Sequence, residues 1–273
     1  MYALLAVGLI AIYSVRHIVN LAQGEFASLG GLGAVWLIGV GIPVLPAIVL
    51  AVVSVTAAAV LIDRLIIARV RRMTTLISII LTLGIATLLQ ALMLLAWGPT
   101  ARGLDPFPGA DVSLGGVSIR SQEFWMLGTL AVVGVGIIIF SEHTRLGKAM
   151  RAVAEQPTAA RIVGISPALA SAVAFGIAGL TGALAGVASS PLSLSVWSAG
   201  LLLALKGFVA AVLGGLVSYR AAIVGGLLLG VLESYVAGYV ASGYRDAVAF
   251  LILIVVLIVR PGGLVRRPNE ARV

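Results

Sequence analysis

Residues 74–97 read TTLISIILTLGIATLLQALMLLAW, a stretch without one charged side chain that follows directly on Arg71, Arg72 and Met73. A helix rises about 1.5 Å per residue, so this run extends roughly 36 Å, more than the ~30 Å of a bilayer's hydrocarbon core. It is apolar around its whole circumference, as a membrane span is; a helix half-embedded in a soluble core carries one polar face.

The pattern recurs on both sides. Of 273 residues, 61% are hydrophobic and only 10% charged, too few charges to cover a soluble domain of this size. Apolar runs at 1–18, 25–41, 44–62, 74–97, 123–140, 166–188, 201–217, 220–240 and 246–259 predict an all-α polytopic bundle of about nine spans, with eight to ten as bounds. The second, seventh and ninth runs are short or glycine-broken. The 33 glycines suit helices that pack closely in lipid. One membrane domain fills residues 1–273, with no Pro/Ser linker to divide it. The first basic residue, Arg16, lies behind the first apolar run, so that run is not expected to be a cleavable signal.

The net charge of +8 is carried mainly at the ends of apolar runs, where it orients helices and gives no reason to invoke nucleic acid. Arg64, Arg69, Arg71 and Arg72 mark the 63–73 loop as cytoplasmic. Arg145, Lys148, Arg151 and Arg161 do the same for 141–165, and Arg260, Arg266, Arg267 and Arg272 for the tail. Nine spans satisfy all three, with the N-terminus and the Gly/Pro-rich 98–122 loop outside. Spans one to four and six to nine then run in opposite senses around the fifth. The second member of each half is short and glycine-rich, which is the pattern of an inverted repeat with a pathway between its halves.

The residues exclude several chemistries. There is no cysteine, hence no disulfide and no thiolate chemistry. The two histidines, His17 and His143, fall near helix ends, no HExxH occurs, and no nucleophile–base set is apparent. Gly147-Lys148 is followed by Ala149 and lacks the glycine spacing of a phosphate-binding loop. No cofactor and no nucleotide site is expected, so energy has to come from a partner or a gradient.

Three charges fall in or beside apolar spans: Glu25, Lys206 and Glu233. A charge at the bilayer centre costs roughly 2.5–3.5 kcal/mol on insertion scales, so each should face protein or water. They either line a pathway or serve as interfacial and helix-pairing residues. Glu233, the deepest, reads first as a pairing residue. The 141–165 segment carries Leu146, Met150 and Val153 at i, i+4 and i+7, a one-sided helix interrupted at Pro157. A second short helix is expected from Thr158 to Val163, ending at Gly164, with Ser166-Pro167 starting the next span. Such a segment suits either docking to another protein or lying on anionic lipid.

Four motifs, in order, carry a family likeness. They are Asn20-Leu-Ala-Gln-Gly-Glu-Phe-Ala-Ser-Leu-Gly; Thr144 through Ile165 (TRLGKAMRAVAEQPTAARIVGI); Lys206-Gly-Phe-Val-Ala-Ala-Val-Leu-Gly-Gly-Leu with Gly225-Gly226 and Glu233 downstream; and Arg260-Pro-Gly-Gly-Leu. Together they resemble the LivH-type permeases of branched-chain amino-acid ABC importers over nearly the whole chain. A further N-terminal segment usually precedes the Tyr2 stretch in that family, and Pro157 stands where a polar residue is expected. The resemblance implies a non-catalytic permease subunit in the bacterial inner membrane. Its expected partners are a second, LivM-type permease, two cytoplasmic ATPases and a periplasmic binding protein that delivers leucine, isoleucine or valine. It places ATPase coupling at Arg151, Glu155, Ala159, Ala160, Arg161 and Gly164, and the translocation pathway at Asn20, Gln23, Glu25, Lys206 and Glu233. Urea or short amides as solute, or a free-standing secondary transporter, are the alternatives.

Overall fold

The computed structural model describes residues 1–70, 73–109, 111–114, 117–216, 218–239 and 241–259. The Arg260-Pro-Gly-Gly-Leu motif, the basic tail, Arg71 and Arg72 lie outside the described residues.

Every predicted span is a helix, with ends displaced by no more than four residues. In chain order these are α1 (Tyr2–Arg16), α2 (Gln23–Gly39), α3 (Val44–Leu65), α4 (Thr75–Trp97) and α5 (Ser121–His143). The 141–165 segment forms α6 (Arg145–Glu155) and α7 (Pro157–Ile162), and α8 (Pro167–Ser189), α9 (Gly200–Leu213), α10 (Tyr219–Tyr239) and α11 (Arg245–Val259) complete the described bundle. Among the described residues, α3, α4, α5, α8 and α10 are long and apolar enough to cross a membrane unaided, whereas α1 and α9 are apolar but shorter. One feature was not foreseen: the 98–122 loop folds a small antiparallel hairpin, Val112–Leu114 against Val117–Ile119.

Helix ends follow local chemistry. Thr74 accepts a hydrogen bond from the Ile77 N–H at 3.3 Å and opens α4. Gly98, at φ 77°, closes that helix in a backbone region that costs other residues a Cβ clash. Ser166 caps α8 by accepting from the Leu169 N–H at 3.4 Å, with Pro167 in the first turn, as the sequence indicates.

α8 is the axle. It packs against α1, α2 and α3, while the other side of α1 carries α9 and α10. α1 is buried along most of its length and α8 over two thirds of its apolar window, but only 17% of α5's window is covered. Tight contact requires small residues here: a Cβ on Gly186 would collide with the Ala27 carbonyl of α2. The ends of α1, α3 and α5 gather with the starts of α8 and α10 at one end of the bundle, beside α6. Charge patterning assigns that end to the cytoplasm.

Candidate translocation site

α1 stops at Arg16, where His17 takes a left-handed turn at φ 55°, and the chain re-enters the bundle before α2 begins at Gln23. The re-entry is deep. Gln23 donates through Nε2 to the Ala178 carbonyl at 3.0 Å, halfway along α8, and its side chain leaves no room for a Cβ on Gly8 in the middle of α1. Asn20 steadies the turn by accepting from the Ala22 N–H at 3.2 Å.

α9 begins against the same spot. A Cβ on Gly24 would meet the Gly200 carbonyl and the Ala204 nitrogen, and one on Gly200 would meet the Glu25 carboxylate. The two glycine-rich helices, second members of the two predicted halves, therefore touch backbone to backbone through their first turns. Glu25 is fully buried there, not at an interface. Its Oε1 accepts from Gln90 Nε2 of α4 at 2.7 Å. The first turn of α2, with its partly positive helix end, is a favourable place for a carboxylate.

Four buried polar atoms around this junction have no hydrogen-bond partner among the described residues: Asn20 Nδ2, Gln23 Oε1, Glu25 Oε2 and Ser28 Oγ. Buried polar groups are nearly always hydrogen-bonded, and each one left alone costs about 1–3 kcal/mol. Concentrated on one break and one helical turn, they can offer donors and acceptors to a polar solute. Ser28, one turn beyond Glu25, was not singled out from the sequence, although its place on the same helix face was a usable signal.

Lys206 and Glu233 belong to a separate cluster. Lys206 Nζ of α9 lies 2.9 Å from Glu233 Oε1 of α10 and 2.6 Å from Asp246 Oδ1 of α11. The Tyr2 hydroxyl of α1 donates to Glu233 Oε2 at 2.7 Å and accepts from Lys206 at 3.3 Å. The contact with Glu233 Oε1 is an ion pair without hydrogen-bond alignment. Four helices are thus tied together at the end opposite α6. Lys206 does not snorkel: it is 6% exposed and held by two carboxylates. Glu233 is paired with Lys206 and Tyr2, and among the described residues no hydrogen bond or ion pair links either Lys206 or Glu233 to Glu25. Tyr2 and Asp246, both essential to the cluster, sat unremarked at the ends of their spans.

The α6 end has its own cluster, also unforeseen. Arg16 Nε donates to Ser171 Oγ at 2.6 Å, and Ser171 in turn donates to Asp63 Oδ1 at 2.6 Å. Arg16 and Asp63 approach to 3.5 Å. Asp63, at the edge of the 63–73 loop expected from the sequence, lies in the last turn of α3 and is wholly buried.

In the 141–165 segment, Thr144 caps α6 by accepting from the Gly147 N–H at 3.0 Å. Met150 and Val153 are buried, but Leu146, expected on the same stripe, is 43% exposed. Gly147 takes its place, because any Cβ there would strike the Phe140 carbonyl and Ser141 at the corner with α5. Arg151 turns back and donates to the Ser141 and Glu142 carbonyls at 2.7 and 3.3 Å, capping α5. α7 begins at Pro157, one residue earlier than expected, and ends at Ile162, with Gly164 at φ 83° turning the chain just beyond it. Ala160 is buried against its own chain, whereas Glu155, Ala159 and Arg161 are exposed. Ile162 and Val163, 82% and 73% exposed, form an apolar tip that sequence reading missed.

Among the described residues no group of side chains could hold a metal ion. The architecture defines a multi-pass membrane protein: a helical bundle with a discontinuous polar junction at its heart and charged clusters at both ends. Residues 1–257 match the family described as "Branched-chain amino acid transport system / permease component", and the chain belongs to that family. It is 30% identical over 290 residues to the high-affinity branched-chain amino acid transport system permease protein BraD of Pseudomonas aeruginosa, covering 100% of this chain and 94% of the relative. It is likewise 30% identical over 289 residues to LivH of Escherichia coli K12, covering 100% and 93%. A probable LivH of Methanocaldococcus jannaschii is 27% identical over 280 residues, covering 96% and 87%. No solved structure shows significant similarity to the chain.

Proposed function

We propose that this chain forms one half of the membrane pathway of an ATP-driven importer for leucine, isoleucine and valine in a bacterial inner membrane. The full-length match to a permease family carries the reading. The proposed partners are a second permease, two cytoplasmic ATPases and a periplasmic binding protein. The lack of a phosphate-binding loop agrees with ATP being hydrolysed elsewhere.

In this reading the junction of α2 and α9 meets the solute. A zwitterionic amino acid offers an ammonium group, which suits Glu25 Oε2 and Gln23 Oε1, and a carboxylate, which suits the first-turn N–H groups of two abutting helix N-termini. Gly24 and Gly200 are in contact, so the helices that face the solute are also the ones that must part. The Lys206–Glu233–Asp246 and Arg16–Asp63 clusters lie at opposite ends and act as alternating closures rather than as binding groups. The exposed residues Glu155, Ala159, Arg161, Ile162 and Val163 form the proposed ATPase contact, while Arg151, Ala160 and Gly164 hold its shape.

The test is reconstitution of the chain with the adjacent ATPase, second permease and binding protein in liposomes. ATP-dependent accumulation of labelled leucine, isoleucine or valine is expected. Accumulation of urea or short amides instead, or uptake driven by an ion gradient without ATP, overturns the reading.

A further inference from the structure

α5 and α10 meet where Ile223 lies against Gly134, but their exposed sides stay apart. Leu127, Leu130, Ala131, Gly134, Val135 and Ile138 of α5 face Ile223 and Leu227 of α10 across an apolar groove of about 520 Å³. Arg220 lines the end of this groove nearest α6. There Ile138 and Arg220 also form the edge of a second cleft of about 330 Å³, with Ile10, Met150 and Ala154 on its apolar wall. This cleft is bounded by Ser14, Ser141, Glu142, Arg151, Ser218 and Tyr219.

The two spaces are continuous through their shared residues; the first is apolar apart from Arg220, and the second adds Glu142 and Arg151. From Leu127 to Ile138 the groove runs about 16 Å along α5, close to half the ~30 Å hydrocarbon thickness. Carried on to Glu142 the span is about 22 Å, close to half the 40–45 Å that includes headgroups. An apolar trough one leaflet deep, continued by a cleft that carries charged side chains at headgroup level, has the dimensions of one lipid molecule. Its charge selects which. Arg220 is paired twice with Glu142, at 2.7 and 2.9 Å, yet its side chain remains 67% exposed and keeps donors free. Arg151 spends its guanidinium on two carbonyls, which leave its charge unneutralised. The lining therefore carries two guanidinium groups against one carboxylate.

We propose that this groove and cleft together bind an anionic phospholipid, with an acyl chain between α5 and α10 and the phosphate beside Arg220 and Arg151. A zwitterionic lipid brings its own cation into a pocket already positive, and is bound more weakly. The inference rests on the chain being a membrane protein and not on the identity of its solute, so it stands if the transport assay finds another substrate. The bound lipid touches α5, α6 and α10 at once, which makes the seating of the 141–165 segment sensitive to membrane composition.

The test uses the full chain, purified from membranes with the subunits that accompany it and placed in nanodiscs of phosphatidylethanolamine. Spin-labelled phosphatidylglycerol and phosphatidylcholine are added in turn. Phosphatidylglycerol is expected to show an immobilised component with about tenfold higher affinity, and Arg220→Gln to erase that preference. Ala131→Trp, which fills the trough, should lower retention of both lipids, whereas Leu95→Trp on the exposed face of α4 should not. Equal affinity for the two lipids, an unaffected Arg220→Gln variant, or an unaffected Ala131→Trp variant overturns the proposal. So does efficient cross-linking of Ala131→Cys to another permease chain, which makes the groove a protein interface.

Discussion

Asp246, in the first turn of α11, reaches back to the middle of α9 and lies 2.6 Å from the Lys206 ammonium. Lys206 thereby answers two carboxylates, its partner Glu233 being almost as buried as itself, and the last helix is fastened by charge as well as by packing. Lys206→Met leaves Glu233 buried and unpaired. The expected loss is about 3–5 kcal/mol, read as a lowered unfolding temperature in detergent, with α11 released early to protease. Adding Glu233→Leu should restore much of the loss, since a well-packed apolar pair replaces a buried ion pair at little cost. If Lys206→Met leaves both measurements unchanged, the cluster does not hold α11.

The contact of Gly24 with Gly200 sets a second expectation. Gly200→Ala drives a methyl group into the Glu25 carboxylate and should destabilise the bundle by about 1–3 kcal/mol while abolishing uptake. Gly128→Ala on α5 has open space around it and gains helix propensity, so it should be neutral or stabilising by roughly 0.5–1 kcal/mol. Thermal unfolding of the two variants side by side makes the comparison.

Glu25→Gln keeps the shape of the side chain and its link to Gln90 but removes the negative charge. Uptake of labelled leucine should fall about tenfold with complex assembly intact, as expected for a lost charge-assisted contact. Wild-type uptake would remove Glu25 from the pathway and leave it a packing residue.

The apolar tip of α7 predicts where an ATPase binds. Ile162→Glu places a charge on a surface that is exposed in the free chain, so insertion and folding should be normal. Co-purification of the ATPase and solute-stimulated ATP hydrolysis should both be lost, because the new charge is buried and unpaired on docking. Retention of both returns α7 to a helix lying on lipid.

Orientation can be read with a thiol reagent that does not cross membranes, since the chain has no cysteine of its own. Asp105→Cys, exposed in the 98–122 loop, should be labelled in intact cells, and Thr158→Cys in α7 only after they are opened. The reverse pattern inverts the topology.

The spans were legible because backbone polar groups in lipid have to be satisfied within the helix, which writes long uncharged runs into the chain. The α6–α7 break at Pro157 and the stop at Gly164 were legible for equally local reasons. What could not be read was pairing. Tyr2 and Glu233 are 231 residues apart, and Ser171 and Asp63 are 108 apart; Tyr2, Ser171 and Asp63 look interfacial on their own because they sit near the end of a span, and Glu233, though deep, carries no sign of which residue it meets. Leu146 shows a different limit. Periodicity placed it on the buried stripe, but the close corner between α5 and α6 demanded the glycine beside it and turned the leucine outward.

The Arg151 cap and the Gly147 corner have a mechanical consequence. They join α6 to the last turn of α5 by two hydrogen bonds and a close backbone corner, so a displacement of α6 is expected to tilt α5 rather than to bend the corner between the two. α5 has 23 residues and is about 34 Å long, so a tilt of about 10° swings its far end by about 6 Å. At that far end Gln122 is clamped on both sides: its Nε2 donates to the Ala188 carbonyl of α8 at 2.8 Å, and its Oε1 accepts from the Phe107 N–H at 3.0 Å. α5 is in this sense a rocker arm, with a load attached at each end and only 17% of its apolar window gripped by the rest of the bundle. A push on the 141–165 segment would reach the 98–122 loop through α5 alone, by the contacts at its two ends and not by way of the polar junction at the core.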